Sequence, residues 1–151
     1  MSNSTLESSK KNKRDFYAQP HVANAYDELR FGGASGAWVD AREIEIVLSL
    51  VPSFRRALDL GCGTGRLTRA LVQRGTTIGV DSSSAMLPQA RQKSLSVLAQ
   101  ADAFDLAFAD ASFDVVTALR VVFHIEDMES LFSEIARILT PWGVVVFDTY
   151  V

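Results

Sequence analysis

Apolar residues along this chain follow two alternating patterns. The run ALDLG (57–61) is short, apolar and closed by glycine, and reads as a strand. Residues 65–74 then place Leu67, Ala70 and Leu71 on one face before Gly75, which reads as a helix and its stop. The alternation repeats. TTIGVD (76–81) is a second strand, and Ser82, Ser83 and Ser84 offer N-caps to a helix carrying Met86, Leu87 and Ala90. LSVLAQAD (95–102) and SFDVVTAL (112–119) are a third and a fourth strand. Asp127 caps a helix with Met128, Leu131, Phe132, Ile135, Ile138 and Leu139 on one face. TPWG (140–143) reads as a turn before a fifth strand, VVVFDTYV (144–151).

The segment before this alternation reads differently. A short helix is predicted over Val22–Leu29, and FGGASGA (31–37) as a glycine-rich hinge. Asp40, with Glu43 three residues on, predicts a capping box that opens a helix through Ile44, Val47, Leu48 and Val51, closed by Pro52. Strands separated mostly by helices require crossover connections. The expected fold is therefore α/β: a doubly wound, mostly parallel sheet in three α/β/α layers. The near-continuous apolar strands agree, since central parallel strands are buried on both faces.

Composition narrows the class. The chain has 151 residues, 48% hydrophobic and 22% charged, enough for one domain with a core. No apolar run approaches the roughly 20 residues of a membrane span. The start, MSNSTLESSKKNKRDF, holds no hydrophobic signal segment, and Cys62 is the single cysteine, so a cytoplasmic setting is expected. The net charge of −3 is uneven. Residues 1–14 carry Lys10, Lys11, Lys13 and Arg14 against Glu7 and read as a flexible basic tail, while the remainder is acidic. An acidic domain is a poor polyanion binder, so no specific nucleic-acid partner is expected. The division is a tail (1–14), an N-terminal segment with the first helix (15–54), and an α/β core (55–151).

Candidate chemistry centres on Asp59-Leu60-Gly61-Cys62-Gly63-Thr64-Gly65-Arg66, joining the first strand to its helix. Glycines there allow a sharp turn and close approach to a ligand. The alternative is a plain tight turn. Two details sharpen the reading. Arg66 stands where a dinucleotide fingerprint wants its last glycine, and Asp59 lies inside the strand, where it would repel a pyrophosphate. A ligand with a cationic amine suits Asp59 better, which favours an aminoacyl-bearing nucleoside over NAD. Asp81, ending the second strand, can accept both hydroxyls of a ribose, or serve as a helix cap. Asp102 with the Ala103 amide can read an adenine edge, or be an ordinary loop pair. Met86 can lie on the adenine face or fill the core.

Taken together, LDLGCGTGR (58–66), IGVDSSSAML (78–87), QADAFDLAFADASFDVVTA (100–118), VVFHIED (121–127) and TPWGVVVF (140–147) resemble the class I, Rossmann-like S-adenosylmethionine-dependent methyltransferases. The look is nearest to the branch acting on small molecules, quinone precursors among them. The resemblance implies strand order 3-2-1-4-5 and S-adenosyl-L-methionine as cofactor, with S-adenosyl-L-homocysteine as product. It implies that Gly61, Gly63 and Gly65, with Cys62 among them, line the methionine part and that Asp59 lies near its amine. Asp81 would hold the ribose with Ser82 adjacent, Met86 would pack on adenine, and Asp102 and Ala103 would read its edge. Arg120 would border the methionine end, and Tyr17, Tyr26 and Arg30 would belong to a lid.

A sulfonium methyl is already electrophilic, so no covalent intermediate is needed; a base is needed only when the acceptor must lose a proton. His124, just past the fourth strand, is the candidate base, with a structural histidine as the alternative. His21, in the lid, reads as structural. Cys62 has no paired histidine and does not read as a nucleophile. No metal site is expected. Two other functions stay open: a nicotinamide-dependent oxidoreductase, and a non-catalytic adenosyl-binding module. The family usually continues past strand five with a helix and two more strands. The chain ends at Val151, so truncation is expected, and with it a homodimer across the exposed fifth strand.

Overall fold

The computed structural model describes residues 15–93 and 97–149. The basic tail (1–14), the expected start of the third strand (95–96) and the end of the fifth (150–151) lie outside the described residues. Residues 15–17 are helical, and two longer helices follow, α1 (Pro20–Phe31) and α2 (Gly33–Leu50). Then follow β1 (Arg56–Leu60), α3 (Arg66–Leu71), β2 (Thr76–Asp81), α4 (Met86–Gln92), β3 (Leu98–Gln100), β4 (Phe113–Ala118), a 3-10 turn (Val122–His124), α5 (Met128–Ile138) and β5 (Leu139–Phe147). The strands form one sheet in the order β3-β2-β1-β4-β5, with every neighbouring pair parallel. This is the doubly wound order expected from the sequence.

Strand alternation builds the layers. Leu58 and Val116 face one side, where Leu131, Ile135 and Ile138 of α5 cover them. Ala57 and Val115 face the other, under Val47 and Val51 from the end of α2 and Leu67 and Leu71 of α3. The odd positions that follow, Asp59 and Thr117, therefore share the α3 side and sit opposite each other in the β1–β4 register. Asp127 caps α5 as its sequence predicts, accepting from the Ser130 amide at 3.0 Å.

Three expectations are corrected. The glycine-rich stretch is no hinge: α1 runs on to Phe31, Gly32 turns the corner, and α2 starts at once. A side chain on Gly36 would meet the Phe31 carbonyl carbon at 2.4 Å, so glycine here is what lets the two helices abut. The capping box is the second correction. Asp40 and Glu43 lie within α2, and their carboxylates go to arginines instead. Third, β5 begins at Leu139 and passes through Thr140–Gly143, which the sequence marks as a turn. Phe113 pairs with Leu139 and Val115 with Val144, so four residues oppose one and bulge outward. Pro141 is tolerated because β5 is an edge strand, and Trp142 is 94% exposed on the bulge.

Replacing Gly36 by alanine sets two effects against each other. Helix propensity alone favours alanine by about 1 kcal/mol. The backbone contact with Phe31 cannot yield as a side chain would, so Gly36→Ala is expected to destabilise by about 1–3 kcal/mol. Urea denaturation reads the sign directly.

Candidate functional site

The strands end at a common edge, and the loops leaving β1, β2, β3 and β4 enclose a cavity of about 530 Å³. Topology puts it there, because the strand order reverses at the paired strands β1 and β4, whose following helices, α3 and α5, go to opposite faces. Asp59, Gly61, Cys62, Gly63, Asp81, Ser82, Met86, Asp102, Ala103, Arg120, Tyr26, Arg30 and His124 all line it, as does Tyr17. Gly65 instead sits just behind the wall, at φ +79°, where it starts α3. His21 is exposed on α1 and does not border the cavity.

The glycine loop owes its shape to backbone that only glycine adopts freely. Gly61, Gly63 and Gly65 all have positive φ. At Gly61 a side chain would strike Val121 Cγ2 at 2.2 Å. At Gly63 it would meet nothing within 4 Å, so bare backbone faces open space. Arg120 is also left-handed, at φ 62°, an unfavourable conformation for a side-chain-bearing residue. Its amide is held by Asp148 Oδ1 at 2.5 Å.

Two carboxylates dominate the electrostatics. Asp59 is 2% exposed; it accepts from the Thr68 hydroxyl at 2.5 Å on Oδ2 and from the Thr117 hydroxyl at 2.9 Å on Oδ1. Asp81 is half-buried and accepts from the Gly63 amide on Oδ2 and the Ser83 amide on Oδ1, both at 2.8 Å. Each of the four oxygens thus has one neutral donor and keeps a lone pair. Among the described residues, neither carboxylate forms a salt bridge. Burial, reinforced by the Asp81 charge, pushes the Asp59 carboxyl up to about 6 against the lowering by the two threonines. Desolvation likewise raises Asp81, although the Ser83 and Gly63 amides oppose it. Burial and the charges of Asp59 and Asp81 raise the Cys62 thiol far above its ordinary range, which removes it as a nucleophile.

The N-terminal helices, expected as a lid, are fastened by the opposite arrangement, carboxylates against cationic side chains. Arg66 at the start of α3 donates to Asp40 Oδ1 at 2.6 Å and to Glu43 Oε2 at 3.1 Å. Arg120 donates to both oxygens of the same Glu43. Phe31 lies under the two guanidiniums, 3.4 Å from Arg66 and 5.3 Å from Arg120. Burial raises the Glu43 carboxyl, but the hydrogen bonds from Arg120 and Arg66 outweigh it and hold it below the usual range. Asp27 of α1 adds a second tie, accepting from Thr64 at 2.6 Å and Lys93 at 2.5 Å. A third runs from the Ser83 hydroxyl to the Tyr17 carbonyl at 2.7 Å.

Tyr17 stacks edge-on against Tyr26 and against His124, each at 6.1 Å, and His124 is exposed at the rim beside Phe123. Asp102 accepts from the Phe104 amide at 3.2 Å, and Met86 is buried at the cavity wall. No group of three or more metal-ligating side chains occurs among the described residues. The sequence gives no site role to Thr68, Thr117, Phe31 or Asp27, and gives Ser83 only the role of a helix cap. The strand register would have found Thr117, which lies opposite Asp59.

The fate of Asp59 is testable in the ligand-free protein. Its folded pKa lies above the ordinary 3.8, so the stability linked to its proton is complete below that value and lost as pH rises through about 6. Asparagine keeps the neutral shape at every pH. Asp59→Asn is therefore expected to be more stable than wild type at about pH 8, by up to about 3 kcal/mol, with the gain vanishing near pH ~4. Melting curves at the two pH values measure this.

Comparison with known proteins points to one family. Residues 58–147 match the family described as "Methyltransferase domain". The ubiquinone biosynthesis O-methyltransferase of Idiomarina loihiensis is 37% identical over 102 residues, which are 63% of this chain and 42% of that protein. A SAM-dependent methyltransferase structure from Thermotoga maritima superposes with TM-score 0.73 at 25% identity, covering 87% of this chain and 60% of that one. A Haemonchus contortus phosphoethanolamine N-methyltransferase 2, solved with phosphomonomethylethanolamine and S-adenosylhomocysteine, superposes with TM-score 0.73 at 28% identity over 89% of this chain and 34% of its own. The chain thus spans less than half the length of the Idiomarina protein. With the glycine loop, the strand order and the family match all falling on the same residues, the chain belongs to the methyltransferase domain family.

Proposed function

We propose that this chain binds S-adenosyl-L-methionine in the cavity and transfers its methyl group to a small-molecule acceptor. One observation carries the reading: Asp59 and Asp81 stand at the cavity wall, withdrawn from water and held only by neutral donors. Desolvated anions without a cationic partner are costly unless a ligand completes them. The ligand this arrangement suits has a cationic amine on one side and paired hydroxyls on the other. A pyrophosphate suits it poorly, which speaks against the nicotinamide reading.

The residues fit that group. The bare backbone at Gly63 leaves room for the aminoacyl chain, with Gly61 and Cys62 beside it, Gly65 supporting the turn and Asp59 toward the amine. Asp81 keeps a lone pair on each oxygen for ribose hydroxyls, with Ser82 at hand. Met86 packs on adenine, and Asp102 and Ala103 read its edge. Arg120 borders the methionine end with its guanidinium engaged by Glu43. Tyr17, Tyr26 and Arg30 close the cavity from the lid side.

When bound, the cofactor supplies an electrophilic sulfonium methyl group. The chain's part is to orient the acceptor, hold fixed dipoles around the reacting atoms and keep water out. His124, at the rim, takes the acceptor's proton where one must leave. The O-methyltransferase name of the Idiomarina relative supports an acceptor of this kind. Self-association across the β5 edge is part of the same reading. It is supported by the exposure of Trp142 and Phe147 on that strand, and sedimentation velocity over a concentration series tests it.

Titration with S-adenosylhomocysteine and with NADH tests the cofactor assignment. Only the first is expected to bind, and Asp81→Ala is expected to weaken it at least about tenfold, through two lost hydroxyl contacts. Binding of NADH alone refutes the assignment. Turnover of labelled cofactor with candidate acceptors separates an enzyme from a binding module.

A further inference from the structure

We propose that Thr68 and Thr117 are positioning residues that hold Asp59 as a fixed, ionised acceptor for the ammonium group of an amino-acid-bearing ligand. The proposal rests on the adenosyl reading of the cavity, and its test keeps the two apart.

The geometry is specific. Thr68 comes from α3 and Thr117 from β4, so two different elements reach Asp59 on β1. Both threonines are essentially without solvent exposure, at 1% and 0%. Each hydroxyl donates to a different carboxylate oxygen, which fixes the rotation of the group as well as its charge. A core position asks only for an apolar residue of this size; valine would fill it equally well. Two buried hydroxyls converging on one carboxylate have an electrostatic task.

The surroundings leave that task to them. From β2 the titratable neighbour is Asp81, whose charge repels; from the glycine loop it is the Cys62 thiol, which burial holds neutral. On α3, Arg66 turns to Asp40 and Glu43, and Arg69 is exposed. Without the threonines, burial drives Asp59 neutral, and a neutral carboxyl attracts an ammonium weakly. Thr117 also suits the protonated state. Its hydroxyl lies 3.4 Å from the Leu58 carbonyl, so it can turn there while accepting the Asp59 proton.

Two probes separate positioning from packing. S-adenosylhomocysteine carries the ammonium group; methylthioadenosine shares the adenosyl thioether and lacks the amino-acid end. In wild type, affinity for the first is expected to fall as pH drops through about 6, with proton release on binding, while the second stays flat. Thr117→Val and Thr68→Val are expected to move that midpoint up by about one to two pH units. Affinity for S-adenosylhomocysteine at about pH 6 should fall at least about fivefold. Methylthioadenosine affinity should change less than about twofold, and Thr117→Ser should restore the profile. Equal weakening of both ligands marks a merely structural role and overturns the proposal, as does an unshifted profile. Should the valine variants not fold, a flat wild-type profile for S-adenosylhomocysteine overturns it alone. If neither ligand binds wild type, the adenosyl reading itself is wrong; if both bind and only the threonine effects are missing, that reading stands.

Discussion

The structure depends on one electrostatic constraint: two carboxylates, Asp59 and Asp81, are drawn out of water within reach of each other's charge and, among the described residues, without a cationic partner. Neutral hydroxyls and amides satisfy one site on each oxygen and leave the charge itself uncompensated. In a closed core this would be a defect. At the mouth of a doubly wound sheet it suits the proposed ligand site, where a bound cation would return that cost in stability. Burial first, and the same two charges after it, raise the Cys62 thiol, which argues against a thiolate nucleophile here.

The N-terminal helices obey the reverse rule. Arg66 and Arg120 stand at the ends of the two loops that frame the cavity, and both converge on Glu43 of α2. Phe31 supports them from below, and the glycines at the α1–α2 corner let that ring arrive. Compensated charge therefore fixes the walls, while uncompensated charge marks the floor. Arg120 carries the tension between the two. It is held in a left-handed backbone by Asp148, in contact with the cavity, with its guanidinium drawn to the lid.

Much of this was legible in the sequence because the deciding signals are local. Apolar runs ended by glycine or aspartate mark parallel strands, and the order of the sheet follows from the crossovers and the family pattern. Asp59 and Asp81 stand out because an acid in or just after an apolar strand is uncommon. The failures are all tertiary. Asp40 and Glu43 have the spacing of a capping box, but the helix starts at Gly33 because Gly36 packs against Phe31. Thr140–Gly143 have turn residues, but an edge strand accepts proline and a bulge. Thr68 and Thr117 carry no local signal, since only the β1–β4 register and the α3 packing bring them to Asp59.

The most direct test of the central claim is a crystal structure of the protein with S-adenosylhomocysteine. The ribose hydroxyls should lie on the Asp81 carboxylate, and the ligand's ammonium on the Asp59 side of the glycine loop. A ligand bound away from both carboxylates, or with its ammonium turned toward the lid, would contradict the role given to the two uncompensated charges.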